Sequence, residues 1–232
     1  MSWDGEKKNA AAAALEFVED GMTLGLGTGS TAKFFVELLA DEVADDLIVR
    51  GVPTSEQTRR LAVSHGVPLV PIDQVVQIHL TVDGADEVDG YGNLIKGGGA
   101  ALLREKIIAN ASDHLVIITD PSKQVERLGA FPLPVEVTPF GVTITAKKVF
   151  DALCASGIDK PKVELRMANG NDPVLTDGGN HILDCHCGRI PDPDALAARL
   201  AGVPGLVEHG LFLGMARTVI VGNEGGATVF EY

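Results

Sequence analysis

An apolar run followed by a polar turn and then a helical stretch recurs along the first half of this chain, and no other feature constrains its fold as strongly. Met22 to Gly27, Leu47 to Val52, Ile78 to Val82 and His114 to Thr119 are the runs. Helical patterns over Lys7 to Val18, Ala32 to Leu39 and Glu56 to Ser64, and one beginning near Gly99, lie around them, and Val67 to Val70 adds a short extended piece. This alternation predicts an α/β fold with a parallel sheet and helices on both faces. The residues that follow each strand then emerge at one edge, the carboxyl edge, where open α/β sheets hold ligands.

Phe131-Pro-Leu-Pro134, with Pro139 shortly after, interrupts the pattern. Beyond it, Thr145 to Ala155 reads as a helix, Lys162 to Met167 as extended and Val174 to Asp184 as a hairpin around Gly178-Gly179. A helix over Asp194 to Ala201 and a strand near Val207 follow. These predict a small α+β domain over 131–205, with the large domain built from 1–130 and 206–232. Thr218 to Tyr232 reads as a hairpin returning to the large domain.

The net charge of −13 argues against a nucleic-acid partner, because a phosphate backbone requires a basic face. The acid excess reads either as solubility or as adaptation to a salty cytoplasm, where molar salt screens self-repulsion. No apolar run approaches the roughly 18 residues of a membrane helix, and the N-terminal stretch lacks the apolar core of a signal peptide. The expected compartment is the cytoplasm, and the three cysteines are expected as reduced thiols.

Gly25-Leu-Gly27-Thr28-Gly29-Ser30-Thr31-Ala32 joins a strand to a helix, a geometry that aims backbone N–H groups and the helix dipole at an anion. From Gly27 it also fits the dinucleotide pattern G-x-G-x-x-A, but the acid expected at the end of the second strand is replaced by Thr54-Ser55. A tight turn without a ligand is the competing structural reading; the hydroxyls favour a sugar or a phosphate. Asp83-Gly-Ala-Asp86-Glu87 ends the third strand, and Lys96-Gly97-Gly98-Gly99 follows a hairpin-like turn. The lysine precedes the glycines, so this is no Walker A loop. It places a cation beside a helix N-terminus, although three glycines also suit a mobile linker.

Glu105 has Ala101, Leu102, Ile108 and Ala109 as its helical neighbours. A carboxylate on an apolar face is expected to hold its proton more tightly than usual, as a proton-shuttling base at neutral pH requires. Pairing with Arg104 or Lys106 is the alternative. Lys123, after the strand ending at Asp120, should share the sheet edge of Gly27, Thr54 and Asp83, unless it is simply a solvated loop lysine. Cys185-His186-Cys187 lacks the second ligand pair of a zinc site, and Glu87-Val-Asp89-Gly90 fails the EF-hand order, so no metal is implied.

Taken in order, Gly25 to Thr31, Asp83 to Glu87, Lys96 to Lys106 and Ser122-Lys123-Gln124 resemble the type A family of ribose-5-phosphate isomerases. The likeness continues through Phe131 to Val137, Thr176 to Asn180 and Gly205 to Phe212. The resemblance implies a Rossmann-like large domain, a small α+β domain and a homo-oligomer, a homodimer or homotetramer. It implies a cofactor-free, metal-free aldose–ketose isomerase of the pentose phosphate pathway, acting on a sugar phosphate.

By the same resemblance Glu105 moves a proton between C1 and C2, and Asp83, supported by Asp86, assists ring opening and hydroxyl proton exchange. Lys96 stabilises the enediolate. Thr28, Ser30, Thr31 and Lys123, with Lys7 as a weaker candidate, hold the substrate together with the backbone of Gly27, Gly29, Gly97, Gly98 and Gly99. Two other classes stay open at this level: a sugar-phosphate sensor domain without turnover, and a CoA transferase that combines a Gly-rich loop with a catalytic Glu through a thioester.

Overall fold

The computed structural model describes residues 3–168 and 171–232; Met1 and Ser2, part of the N-terminal stretch read above, lie outside the described residues. The chain forms two compact units. One takes the residues up to Ala85 with Arg104–Gln124 and Gly214–Tyr232, the other Asp86–Leu103 with Val125–Leu213.

The first unit carries a six-stranded sheet made of β1 (Thr23–Leu26), β2 (Arg50–Pro53), β3 (Ile78–Asp83), β6 (Ser112–Thr119), β12 (Thr218–Asn223) and β13 (Gly226–Glu231). Their order is β13-β12-β6-β3-β1-β2. Every pairing is parallel except the terminal β12–β13 hairpin. The expected parallel sheet is therefore present. Its helices are α1 (Asp4–Leu15), α2 (Ser30–Ala44), α3 (Glu56–Ser64) and α4 (Leu102–Asn110).

Side-chain alternation along β1 explains how helices cover both faces. Leu24 and Leu26 join Leu80, Val82 and the helical Ala10, Ala14, Phe35 and Leu39 in one core cluster. Gly25 faces the other way, where a Cβ would come within 2.7 Å of the Ile108 side chain in α4. Ile108 in turn packs with Val52 and Ile78. Val67 to Val70 forms no strand, only a parallel bridge between Gly51 and Leu69; Pro68 and Pro71 remove donors that a longer ladder requires.

The second unit has a four-stranded antiparallel sheet in the order β10-β7-β9-β8, from β7 (Leu133–Val137), β8 (Lys162–Leu165), β9 (His181–His186) and β10 (Leu206–His209). Helices α5 (Val142–Ala155) and α6 (Pro193–Ala201) pack on it through Val149, Leu153, Leu196 and Leu200. A second, three-stranded sheet joins β4 (Glu87–Val88), β5 (Leu94–Ile95) and β11 (Leu211–Phe212).

This unit takes in 86–103, 125–130 and 206–213 as well as the expected 131–205. The reason is local pairing: β5 bonds to β11, the Val125 amide donates to the Val88 carbonyl, and the buried Glu87 carboxylate accepts the Gly129 and Phe131 amides. The expected hairpin over Val174 to Asp184 is not formed as such. Its Gly-Gly turn closes through Thr176 and Asn180, but ahead of it Pro173, without an N–H, makes only an isolated bridge to Met167. Strand β9 pairs instead with β7 and β8.

Candidate active site

In the first unit the parallel register brings the strand ends to one edge. Leu26 lies beside Pro53 and Val82, and Asp83 beside Ile117, so the residues after β1, β2, β3 and β6 emerge together. Gly27 to Thr31, Thr54-Ser55, Asp83 and Lys123 all sit there.

Asp83 is fully buried. Its Oδ1 accepts the Thr28 amide at 3.0 Å and the Gly84 amide at 2.7 Å. Gly27 must be a glycine for this approach, because a Cβ there would come within 2.5 Å of the Asp83 backbone Cα. Gly29, with φ 116°, is the N-cap of α2 and offers no side chain to its first-turn amides. Gly29 and Ser30 are exposed, whereas Thr31 is buried. The glycine turn thus presents a helix start without a side-chain cap and the exposed Ser30 at the carboxyl edge, a combination suited to an anion.

Thr54 and Ser55, read from sequence as hydroxyls favouring a sugar or phosphate, have another use. The Thr28 hydroxyl lies 2.7 Å from that of Thr54 and donates to Ser55 at 2.8 Å. Thr58 donates to the Gly27 carbonyl at 2.8 Å and Thr54 to the Leu26 carbonyl at 3.0 Å. All four residues are buried. This hydroxyl cluster holds the underside of the glycine turn, and no local sequence signal distinguishes it from ligand-facing hydroxyls; Thr58, inside α3, was missed altogether. A cavity of about 710 Å³ opens beside the turn, lined by Gly27, Gly29, Ser30, Lys33, Thr58 and Arg60 among others.

Glu105 sits in the first turn of α4 and is only 4% exposed. Arg104, its neighbour, pairs with Glu56 at 3.5 Å, so that arginine has an acid other than Glu105. Lys123 ends a short 3₁₀ turn after β6 and is half-buried; Asp120 fixes that turn by accepting the Ser122 amide at 3.0 Å. Lys7 is half-buried in α1. That helix lies against β12, where Asn9 donates to the Asn223 carbonyl at 2.8 Å near the strand's carboxyl end.

The second unit carries Asp86, Lys96 and the three glycines. The Asp86 amide donates to Ile95 at 2.8 Å, and its Oδ2 accepts the Gly98 amide at 2.8 Å. The Lys96 amide donates to Gly210, and its side chain is buried, with Nζ 5.5 Å from the centre of the Phe212 ring. A cation over an aromatic face gains an electrostatic attraction to the ring. Gly97 has φ 107° against Leu102 and Pro134, and Ala100, with φ 57°, closes the turn by donating to the Gly97 carbonyl at 3.0 Å. A left-handed Ala100 cannot be helical, so α4 starts at Leu102 and not near Gly99.

Arg166, just past β8, escaped the sequence reading because a single arginine in an extended run carries no signal. Its Nη1 donates to the Gly97 and Gly98 carbonyls at 2.9 and 3.0 Å. Its Nε and Nη2 form a two-point pair with Asp184 at 2.9 and 2.5 Å.

Cys185 and Cys187 both point into the core of this unit. Burial pushes the Cys185 thiol well above its ordinary range and that of Cys187 up to about 12. Asp89 accepts the Tyr91 and Asn93 amides, each at 2.9 Å, so the acidic turn spends its carboxylate on its own backbone. Among the described residues no group of three or more His, Cys, Asp or Glu is placed to hold a metal ion.

The family described as ribose 5-phosphate isomerase A (phosphoriboisomerase A) matches residues 50–226. A ribose-5-phosphate isomerase A from Maricaulis maris is 56% identical over 227 residues, which cover 97% of each chain. A solved D-ribose-5-phosphate isomerase in complex with phospho-erythronic acid superposes with a TM-score of 0.92 at 41% identity, over the full length of both chains. Ribose 5-phosphate isomerase A from Methanocaldococcus jannaschii does so at 0.91 and 36% identity, again over both full lengths. With one sheet edge gathering the glycine turn, Asp83 and Lys123, and with relatives matching from end to end, this chain belongs to the ribose 5-phosphate isomerase A family.

Proposed function

We propose that the chain interconverts D-ribose 5-phosphate and D-ribulose 5-phosphate through an enediolate. The observation that carries this reading, beyond family membership, is Glu105: a carboxylate only 4% exposed on α4. Such a group is largely desolvated, which suits a carboxylate that takes a proton from one carbon and delivers one to the next.

In the forward direction Glu105 removes the C2 proton of the open-chain aldose, and the electron pair moves into a C1–C2 double bond. Lys96, whose ammonium is desolvated, is assigned the electrostatic stabilisation of the negative charge developing on the oxygens. A proton passes from O2 to O1, and Glu105 returns its proton to C1, leaving the ketone at C2. Asp83, with Asp86 in support, serves ring opening and the hydroxyl proton exchange. The phosphate is held by the start of α2, at the exposed Gly29 and Ser30 and the buried Thr31, and by Lys123 and Lys7. Thr28 acts one step back, through its hydroxyl cluster and its amide bond to Asp83. No cofactor or metal takes part in this scheme, and a homodimer or homotetramer working in the cytoplasm within the pentose phosphate pathway completes it.

The two other classes are not favoured. The relatives that match from end to end are named as isomerases, and a binding-only domain has no use for Glu105 together with Lys96 and Asp83. Incubation of the purified protein with ribose 5-phosphate after exhaustive EDTA treatment tests the reading. Ketose should accumulate at the untreated rate. Loss of turnover, restored by one divalent ion, would remove the metal-free mechanism, and absence of turnover with or without metal would remove the isomerase itself.

A further inference from the structure

We propose that Arg166, clamped by Asp184, is a positioning residue for the isomerisation. It fixes the backbone of the Lys96–Gly99 loop, and with it the donor groups assigned to the developing oxyanion. This rests on the isomerase reading above.

The loop has few means of holding itself. Gly97 and Ala100 both have left-handed φ values, 107° and 57°, and Gly98 and Gly99 are exposed. Three glycines in such a turn sample many backbone states unless something external selects one. Asp86 holds one amide of the loop from outside, and Arg166 holds its carbonyls. One edge of its guanidinium makes the two-point pair with Asp184, and the remaining Nη1 reaches both the Gly97 and the Gly98 carbonyls. Asp184 lies in the middle of the antiparallel sheet, opposite Pro134 on one side and Glu164 on the other, so the clamp is mounted on a rigid strand.

The direction imposed follows from peptide geometry. In a trans peptide the carbonyl and the next N–H point in opposite directions. The Gly97–Gly98 unit shows it: its carbonyl turns to Arg166 and its N–H to the Asp86 carboxylate. In the Gly98–Gly99 unit the carbonyl is likewise held by Arg166, which turns the Gly99 N–H away from the arginine, on the exposed part of the loop. That N–H, together with Lys96 immediately upstream, forms the donor set whose aim Arg166 maintains. Arginine suits the task because its planar fork bonds a carboxylate and two carbonyls at once; a lysine offers one point charge.

The test compares Arg166→Ala, Arg166→Lys and Asp184→Asn with the wild type on ribose 5-phosphate, with circular dichroism and melting curves recorded for each. Since Arg166 holds a loop and not the phosphate, kcat should fall about 10–10²-fold in Arg166→Ala while KM changes little. Arg166→Lys and Asp184→Asn should show smaller losses, also in kcat. Guanidinium chloride at low millimolar concentration should restore kcat to Arg166→Ala several-fold without moving its melting temperature, a recovery that a general loss of stability does not produce.

A folded Arg166→Ala or Arg166→Lys variant with wild-type kcat overturns the proposal, and so does a loss confined to KM. If Arg166→Ala fails to fold, the folded Arg166→Lys decides by the same kcat criterion. A wild type that does not isomerise ribose 5-phosphate would instead bring down the isomerase reading, an outcome visible before any variant is compared.

Discussion

Asp83 Oδ1 accepts the amide of Thr28, 55 residues earlier in the chain, at a distance of 3.0 Å. This one bond couples the glycine turn after β1 to the acid at the end of β3, so displacement of either disturbs both. The coupling requires that no side chain intervene.

Gly27→Ala probes that requirement. The added Cβ would meet the Asp83 backbone within 2.5 Å, and backbone in the middle of a parallel sheet cannot step aside as a flexible side chain does. Overpacking of this kind costs about 1–3 kcal/mol, so thermal unfolding should occur at a lower temperature. Turnover of ribose 5-phosphate should fall further than the stability loss accounts for, because both Thr28 and Asp83 are displaced. A variant as stable and active as the wild type would show that the turn has room the structure does not display.

Lys123→Ala should raise KM more than it lowers kcat. A phosphate handle remote from the reacting carbons contributes mainly to binding that is equal in the ground and transition states. Comparison with unphosphorylated ribose isolates the effect: the variant and the wild type should handle ribose alike. Equal losses on both sugars would remove Lys123 from the phosphate site.

The thiols should separate by pH. Cys185 and Cys187 are buried with their thiols held protonated, while Cys154 is exposed. At pH 8 a maleimide should label Cys154 alone in the native protein and all three cysteines in urea. The sign of the accompanying stability effect follows from the raised native values. In the unfolded chain both thiols ionise near the ordinary value of 9.0, whereas Cys187 holds its proton up to about 12 in the native state. Their contribution to stability is intact below pH 9 and declines as pH rises from there toward 12. Native labelling of Cys187 at pH 8 at the rate of Cys154 would contradict this.

The strand ends that form the sheet edge were legible in the sequence because each is punctuated: an apolar run stops at glycine, proline or a charged residue, and parallel pairing does the rest. Asp83 and the Gly25 to Thr31 turn therefore fell at the predicted edge. What sequence could not show was which polar groups serve the fold. Thr54 and Ser55 resemble ligand-facing hydroxyls in every local respect, yet they bond to Thr28, Thr58 and the Leu26 carbonyl because α3 and the turn after β1 pack together. Arg166 is silent for the same reason: its partners lie 18 residues downstream at Asp184 and 69 residues upstream at Gly97. The boundary of the second unit was equally hidden, since β4, β5 and β11 are two residues each and carry no periodicity to read.

Glu105→Gln tests the central chemical assignment. The amide keeps the size and polarity of the carboxylate in its buried position on α4 but cannot accept the C2 proton, so kcat should fall by about 10²–10⁴ or more while ribose 5-phosphate still binds. Solvent deuterium exchange at C2 of the bound sugar is the sharper measurement, because it reports proton removal even when the full reaction does not complete. If Glu105 forms the enediolate, exchange must disappear together with turnover. Exchange persisting near the wild-type rate in a folded Glu105→Gln variant would mean that another carboxylate takes the proton. Asp83, buried and already fixed by the amides of Thr28 and Gly84, would then be the base, and Glu105 would be reduced to shaping its surroundings.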